Sequence, residues 1–247
     1  IGSIIVTQIT DLCETADGNL LITKSSQINT PPSELIKIDF NGAILWNQAL
    51  SPQFSTHVIA SNTGEIFTTG YIGDGLVGMK LVLTKHDASG AVIWSNSTYN
   101  IPLSTIISSI VELASGELLM TGACYYAPGV DSQGHYLPVN SGETHFYVFK
   151  FDNNGSLLFS KPFGKGSGNS IKKNNDETYT IVGNIENEIG ILKIDQDGNK
   201  VWWKKTGQTS SAVAANIVKD AANDNIITGN YKGRVFMFTT NNDGVFN

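Results

Sequence analysis

One pattern recurs along this chain at fixed internal offsets, and no other feature limits the fold as tightly. Lys37-Ile-Asp39-Phe-Asn-Gly42-Ala-Ile-Leu-Trp46 returns as Lys85-His-Asp87-Ala-Ser-Gly90-Ala-Val-Ile-Trp94. It returns again as Lys150-Phe-Asp152-Asn-Asn-Gly155-Ser-Leu-Leu-Phe159 and as Lys193-Ile-Asp195-Gln-Asp-Gly198-Asn-Lys-Val-Trp202. A worn copy, Thr239-Thr-Asn241-Asn-Asp-Gly244-Val-Phe-Asn247, stops one residue before its aromatic position. The aromatic positions of the full copies lie 48, 65 and 43 residues apart. A period in the forties that carries only strand signals is the signature of propeller blades.

Each unit holds four strand-like runs, a to d. In the first they are 9–15, 19–25, 33–40 and 43–50. Tight turns at Asp17-Gly18, Thr63-Gly64, Ser115-Gly116 and Asn223-Asp224 join a to b, and the Asp-x-x-Gly element joins c to d. Gly supplies the positive φ of such hairpin turns, and Asp or Asn bonds the turn backbone. The expected fold is all-β: a five-bladed β-propeller of four-stranded antiparallel blades in a single domain, 1–247. The blades fall near 9–50, 55–98, 105–163, 169–206 and 212–247. The spare apolar run 4–8 is expected to supply the outer strand beside 245–247 and close the ring, because closure removes exposed sheet edges.

Composition narrows the partners. Sixteen Lys+Arg against 22 Asp+Glu give a net charge of −6, the wrong sign for nucleic acid or an anionic membrane surface. No apolar run reaches the length of a membrane-spanning helix. Only 15% of residues are charged, which suits an extracytoplasmic protein. No signal peptide stands at Ile1-Gly2-Ser3-Ile4; the chain is either cytosolic or follows a removed leader, with lipid anchoring upstream one form of that. Cys13 and Cys124 lie in separate apolar runs and are expected as buried free thiols rather than a disulfide.

The repeated residues read as scaffold. Trp46, Trp94, Phe159 and Trp202 are expected to pack each blade against its neighbour. The repeated Asp residues cap turns, since a calcium loop needs more oxygens than Asp195-x-Asp197-Gly198-Asn199 offers. Lys37, Lys85, Lys150 and Lys193 are expected to form a solvated outward row.

The Asp-x-x-Gly-x-x-x-Trp element, once per four-stranded unit over nearly the whole chain, resembles the tryptophan-docking repeat of quinoprotein-type (PQQ-like) propellers. The fuller pattern is also similar to repeats in secreted and surface propellers of Bacteroidota-like bacteria. That resemblance implies a scaffold. Quinoprotein dehydrogenases have about eight blades, and residues matching their cofactor and calcium sites do not occur here, so no cofactor or metal is expected. The nearer analogy is the non-catalytic branch, such as outer-membrane assembly lipoproteins whose propeller is a docking platform; fold alone does not fix that role.

No zincin, G-x-S-x-G, Walker or dinucleotide motif is present. Gly164-Lys-Gly-Ser-Gly168 reads as the connection between blades three and four. His86 reads as structural, and His57 opens a strand a. Asp11, Glu14, Glu65, Glu112 and Glu117 are the carboxylates a glycosidase reading would draw on. The sequons at Asn96 and Asn154 carry little weight in a bacterial chain.

The b–c connections vary more. Blade three carries a long insertion with Tyr125, Tyr126, Asp131, His135 and Tyr136. Tyr71 and Tyr231 follow strand b in blades two and five. Rigid aromatic rings beside adaptable polar groups are the composition of binding surfaces. These seven residues are therefore the expected partner-binding set. The expected function is a non-enzymatic protein-interaction platform in a bacterial surface, secretion or envelope complex. Glycan recognition is the alternative, and a glycosidase-like enzyme stands behind it.

Overall fold

A computed structural model describes residues 8–25, 33–51, 54–73, 79–97, 105–124, 128–130, 136–138, 144–186, 188–209 and 212–246. Every regular element among them is a strand. The first meander is β1 (Gln8–Glu14), β2 (Leu20–Ser25), β3 (Ser33–Ile38) and β4 (Ile44–Leu50); the second is β5 (Phe54–Ala60), β6 (Ile66–Gly73), β7 (Met79–His86) and β8 (Val92–Ser97). Each is a four-stranded sheet in chain order, paired antiparallel throughout.

A seven-stranded sheet follows, built from β9 (Thr105–Glu112), β10 (Leu118–Cys124), β13 (His145–Phe151), β14 (Leu157–Lys173), β15 (Tyr179–Ile185), β16 (Glu188–Ile194) and β17 (Lys200–Thr209). Its pivot is β14, a 17-residue strand that is the last strand of the third meander and the first of the fourth. The glycine-rich run 164–168 lies inside β14, so it is a strand connection and not a phosphate loop. The fifth meander is β18 (Ala212–Lys219), β19 (Asn225–Tyr231) and β20 (Arg234–Thr240), a three-stranded sheet followed by an isolated antiparallel bridge between Thr240 and Phe246. Between β10 and β13, β11 (Pro128–Val130) and β12 (Tyr136–Pro138) form a separate two-stranded ladder. The expected strand 4–8 lies outside the described residues.

The chain divides into two compact units, Ile1–Ile107 with Asp152–Leu157, and Ser108–Phe151 with Leu158–Asn247. In the first, Leu21, Leu35, Leu50, Val58 and Ile66 form a buried cluster, with Trp46 packed against it. The second holds two such clusters, one around Leu119, Phe146, Ile181 and Leu192, the other around Val182, Ile191, Ile217 and Ile227.

The turns follow one design. In each c–d turn the Asp carbonyl accepts from the Gly amide, and the Asp amide donates to the carbonyl beyond the glycine: Gly42 N to Asp39 O is 3.0 Å and Asp39 N to Ala43 O is 2.9 Å. This is a type I turn closed by a left-handed residue. The side chain completes it, since Asp39 Oδ1 accepts from Asn41 N at 2.9 Å and Ala43 N at 2.8 Å. Asp87, Asp152, Asp195 and Asn241 do the same at their own turns. The Asp195 carboxylate is thus engaged by its turn, with Asn199 Nδ2 on its second oxygen, as expected of a turn cap.

The aromatic rings dock onto those glycines. A Cβ built on Gly90 would lie 2.8 Å from the Trp46 ring, one on Gly155 2.6 Å from Trp94, one on Gly198 2.6 Å from Phe159, and one on Gly244 2.6 Å from Trp202. Each meander therefore lays its ring on the c–d turn of the next. Glycine is required there twice over, by a left-handed φ of 70 to 84° in Gly90, Gly155 and Gly198 and by the absence of room for a methyl group.

The lysines do not form a solvated row. Lys193 is 4% exposed and Lys150 7%. Each repeat Lys pairs with an acid of its own a–b turn: Lys37 with Asp17 at 2.7 Å, Lys85 with Glu65 at 2.8 Å, Lys150 with Glu117 at 2.9 Å, and Lys193 with Asp176 at 2.9 Å. Strand alternation aims these side chains away from the apolar face, but the adjoining a–b turn lies over them and its carboxylate covers the ammonium.

Candidate functional site

The first strand of each meander carries a polar residue four positions before its a–b turn opens: Asp11, His57, Ser109, Ser170 and Asn216. In four of the five a bulge sits just before it, with register shifts between Ile9 and Asp11, Ser55 and His57, Gly168 and Ser170, and Ala214 and Asn216. A bulge breaks the strict alternation of a strand and re-aims the side chain that follows. Thr10 and Thr56, the displaced residues in the first two meanders, bond Thr23 Oγ1 and Thr69 Oγ1, each at 3.0 Å.

In the first unit the re-aimed residues join three strands. Asp11 Oδ2 lies 3.2 Å from His57 Nδ1 and accepts from Val58 N at 3.0 Å, while Oδ1 accepts from Leu12 N at 2.9 Å. His57 Nε2 lies 3.0 Å from the Ile107 carbonyl. Burial works to raise the Asp11 pKa, but bonds from His57, Val58 and Leu12 outweigh it and hold the carboxyl below its ordinary range. In the second unit Ser109 Oγ accepts from Ile171 N at 3.2 Å, and Ser170 Oγ donates to Asn216 Oδ1 at 2.8 Å. In each case the residue ties its strand to the first strand of the following meander.

A carboxylate against an imidazole is the start of an acid–base relay, but here the far nitrogen faces a backbone carbonyl and not a hydroxyl or thiol. The arrangement clasps strands. His86, expected to be structural, is buried between Thr68 Oγ1 at 2.9 Å and the Gly90 carbonyl at 3.1 Å. Burial lowers its pKa, favouring the neutral ring. Cys13 and Cys124 are both free thiols, Cys124 buried and Cys13 partly so, with the Cys13 pKa pushed up to about 11 by burial.

The expected partner-binding tyrosines separate. Tyr71 is not a surface residue: it is 3% exposed, and its hydroxyl accepts from Ile107 N. As part of the first unit's core it is out of reach of a partner. Strand β6 runs past Gly70, so the ring falls on the strand's buried face instead of in a loop. Tyr231 is half-buried at the end of β19, packed against the Val182–Ile227 cluster with the Lys232 ammonium 5.1 Å from its ring centre. Tyr136 opens β12, paired with Val130. Tyr125, Tyr126, Asp131 and His135 lie outside the described residues.

No family model and no curated protein matches this sequence, so the likeness to quinoprotein repeats remains one of pattern. Solved structures do share the fold. A protein of unknown function from Bacteroides caccae superposes with TM-score 0.63 at 13% identity, over 97% of this chain and 80% of that one. A thermostable family-43 glycoside hydrolase gives 0.57 at 12%, over 98% and 92%. The Dos1 propeller gives 0.59 at 11%, over 96% of this chain and 56% of that one. The chain is an all-β protein of antiparallel four-stranded meanders whose structural relatives are propellers.

Proposed function

We propose that the chain is a single five-bladed propeller domain, closed by its N-terminal strand 4–8, that works outside the cytoplasm as a non-catalytic docking platform in a bacterial surface, secretion or envelope assembly. The observation that carries this reading is the insertion of the third meander, which departs from the repeat and pairs β11 with β12 in a ladder of its own. The repeated positions, by contrast, are engaged in scaffold contacts: rings on glycines, lysines on turn acids, aspartates on turn amides. Binding groups on a variable loop above a rigid frame are the usual division of labour. Alanine at Tyr125, Tyr126 and Tyr136 is expected to weaken partner binding while leaving the unfolding transition in place. Undiminished binding by the triple variant overturns this choice of face.

A glycosidase reading draws support from the fold shared with family-43 hydrolases. Glycoside hydrolysis needs two carboxyl groups about 5–9.5 Å apart. Of the five first-strand polar positions only Asp11 is an acid, and three donors engage it. Aryl-glycoside turnover that Asp11→Asn abolishes would install this reading; a flat trace with both proteins supports the platform. Glycan binding without turnover predicts hits on a glycan array, and the uneven spread of tyrosines among the blades speaks against one equivalent site per blade.

A further inference from the structure

The fifth meander departs from the repeat at several places around its a–b turn. Thr239 stands where the other meanders carry Lys37, Lys85, Lys150 and Lys193, so its third strand sends no lysine over that turn. Asn225 pairs with Thr240, and both are fully buried. The matching pairs in the other meanders are Leu20 with Ile38, Ile66 with His86, Leu118 with Phe151 and Tyr179 with Ile194. The lysine of this corner comes instead from the end of the first strand, as Lys219. The other first strands end in Glu14, Ala60, Glu112 and Lys173, and Lys173 has a carboxylate partner, Glu177 at 2.8 Å.

The Asn225 amide has a fixed orientation. Its Nδ2 donates to Thr240 Oγ1 and to the Asn241 carbonyl, each at 3.0 Å. A backbone carbonyl only accepts, so the amide oxygen is the end that faces Lys219. Lys219 Nζ donates to Asn225 Oδ1 at 2.6 Å and to the Asn223 carbonyl at 3.3 Å. Both acceptors are uncharged, and two is the donor count of a neutral amine, whose lone pair then points away from both. An ammonium at this place has a third N–H with no acceptor among the described residues. The repeat lysines differ, since each has a turn carboxylate on its ammonium. The strand of Lys193, β16, packs on β18 and brings a like charge toward the half-buried Lys219. Burial, and then Lys193, bring the Lys219 amine down to about 8 against the opposing pull of Asp176, Asp224 and Asp220.

We propose that Lys219 is a nucleophilic amine that captures an uncharged aldehyde as an imine. The amine lone pair adds to the aldehyde carbon, both N–H hydrogens depart with the carbonyl oxygen as water, and a C=N bond remains. The step consumes no oxidant or reductant. A lysine held by neutral groups beside another cation is the usual setting for such chemistry. Asp176, Asp220 and Asp224 lie near enough to act on the charge of the amine, so an anionic electrophile is repelled and a neutral one admitted. All of these groups belong to the second compact unit, and the site does not depend on the insertion of the third meander.

The test treats the folded chain with limiting propionaldehyde and sodium cyanoborohydride, which reduces an imine to a stable secondary amine, and locates the modified lysines by peptide mass mapping. At neutral pH about one-tenth of amines with a pKa near 8 carry a free lone pair, against about one in 2,500 for an ordinary lysine. Half-burial and lower basicity take back part of that advantage, and Lys219 is expected to be alkylated about tenfold faster than the exposed Lys172 and Lys200. The preference is expected to vanish at about pH 10, where ordinary lysines are neutral in good part as well, and in the urea-unfolded chain. Lys219→Arg, which keeps a cation and forms no imine, is expected to remove the favoured site and leave the other lysines at their slow rate. Alkylation of Lys219 no faster than that of Lys172 at neutral pH overturns the proposal. A preference that persists unchanged at about pH 10 reports exposure instead of a neutral amine, and overturns it as well.

Discussion

Gly42 and Gly90 form a matched pair for weighing the docked ring. They occupy the same turn position with the same φ of 84°, and they differ in what the described residues place above them: nothing within 4 Å of a Cβ on Gly42, and over Gly90 the Trp46 ring at 2.8 and 3.0 Å with Gln48 at 2.9 Å. Replacing either by Ala forces an L residue into the left-handed region, which costs about 1–2 kcal/mol. At Gly90 the new methyl must also displace an indole packed on the Leu21–Ile66 cluster, an overpacking cost of about 1–3 kcal/mol. Subtracting the shared backbone cost leaves about 2 kcal/mol for the ring. At about 2–4 °C per kcal/mol for a chain of this size, Gly90→Ala is expected to melt about 4–8 °C below Gly42→Ala. The assay is thermal or urea unfolding followed by tryptophan fluorescence. In a double-mutant cycle, Trp46→Ala should remove most of the excess cost of Gly90→Ala, since contacting residues couple. Equal losses at the two glycines would refute ring docking as the contact between meanders.

The polar contacts make separate predictions. Asp11→Ala leaves Val58 N without its carboxylate acceptor and His57 without its partner, and is expected to cost about 2–3 kcal/mol in urea unfolding; an unchanged transition would remove the clasp from the account. The Asp176 pKa is lowered to about 2: burial works upward, and the Lys193 ammonium with Thr178 outweighs it. A carboxyl depressed in the folded state stabilises above its unfolded pKa and ceases to do so as pH falls through the folded value. Stability should therefore drop between about pH 4 and about pH 2, and Asp176→Asn should flatten that stretch of the profile. At neutral pH the same substitution leaves the buried Lys193 ammonium without its carboxylate and with the Asn242 carbonyl as acceptor, at about 1–2 kcal/mol after solvent screening at the half-exposed Asp176.

Much of this architecture is local and therefore legible in the sequence. The Asp-x-x-Gly turns and the first four strands fall within two residues of their expected places, because turn chemistry and strand alternation act over a few residues. The a–b turn of the fourth meander escaped because its left-handed residue is Glu177, at φ 59°, where glycine is the visible signal. The covering of the repeat lysines escaped for another reason: an ammonium facing away from the apolar layer reads as solvated until the carboxylate of its own a–b turn is placed over it. The Asp11–His57 contact was hidden by the bulges, since one extra residue inverts the in-out alternation on which an inner position is judged. A trace did exist in the polar residue repeated four positions before every a–b turn. Tyr71 was misplaced because strand β6 outlasts its glycine.

The central claim is that this frame presents a partner-binding insertion. Its most direct measurement is an affinity pulldown from the envelope of the native organism, comparing the intact chain with one lacking residues 127–143. The account predicts a discrete partner recovered by the intact chain and lost with the insertion, while both proteins show the same unfolding transition. Equal recovery by both proteins would contradict it.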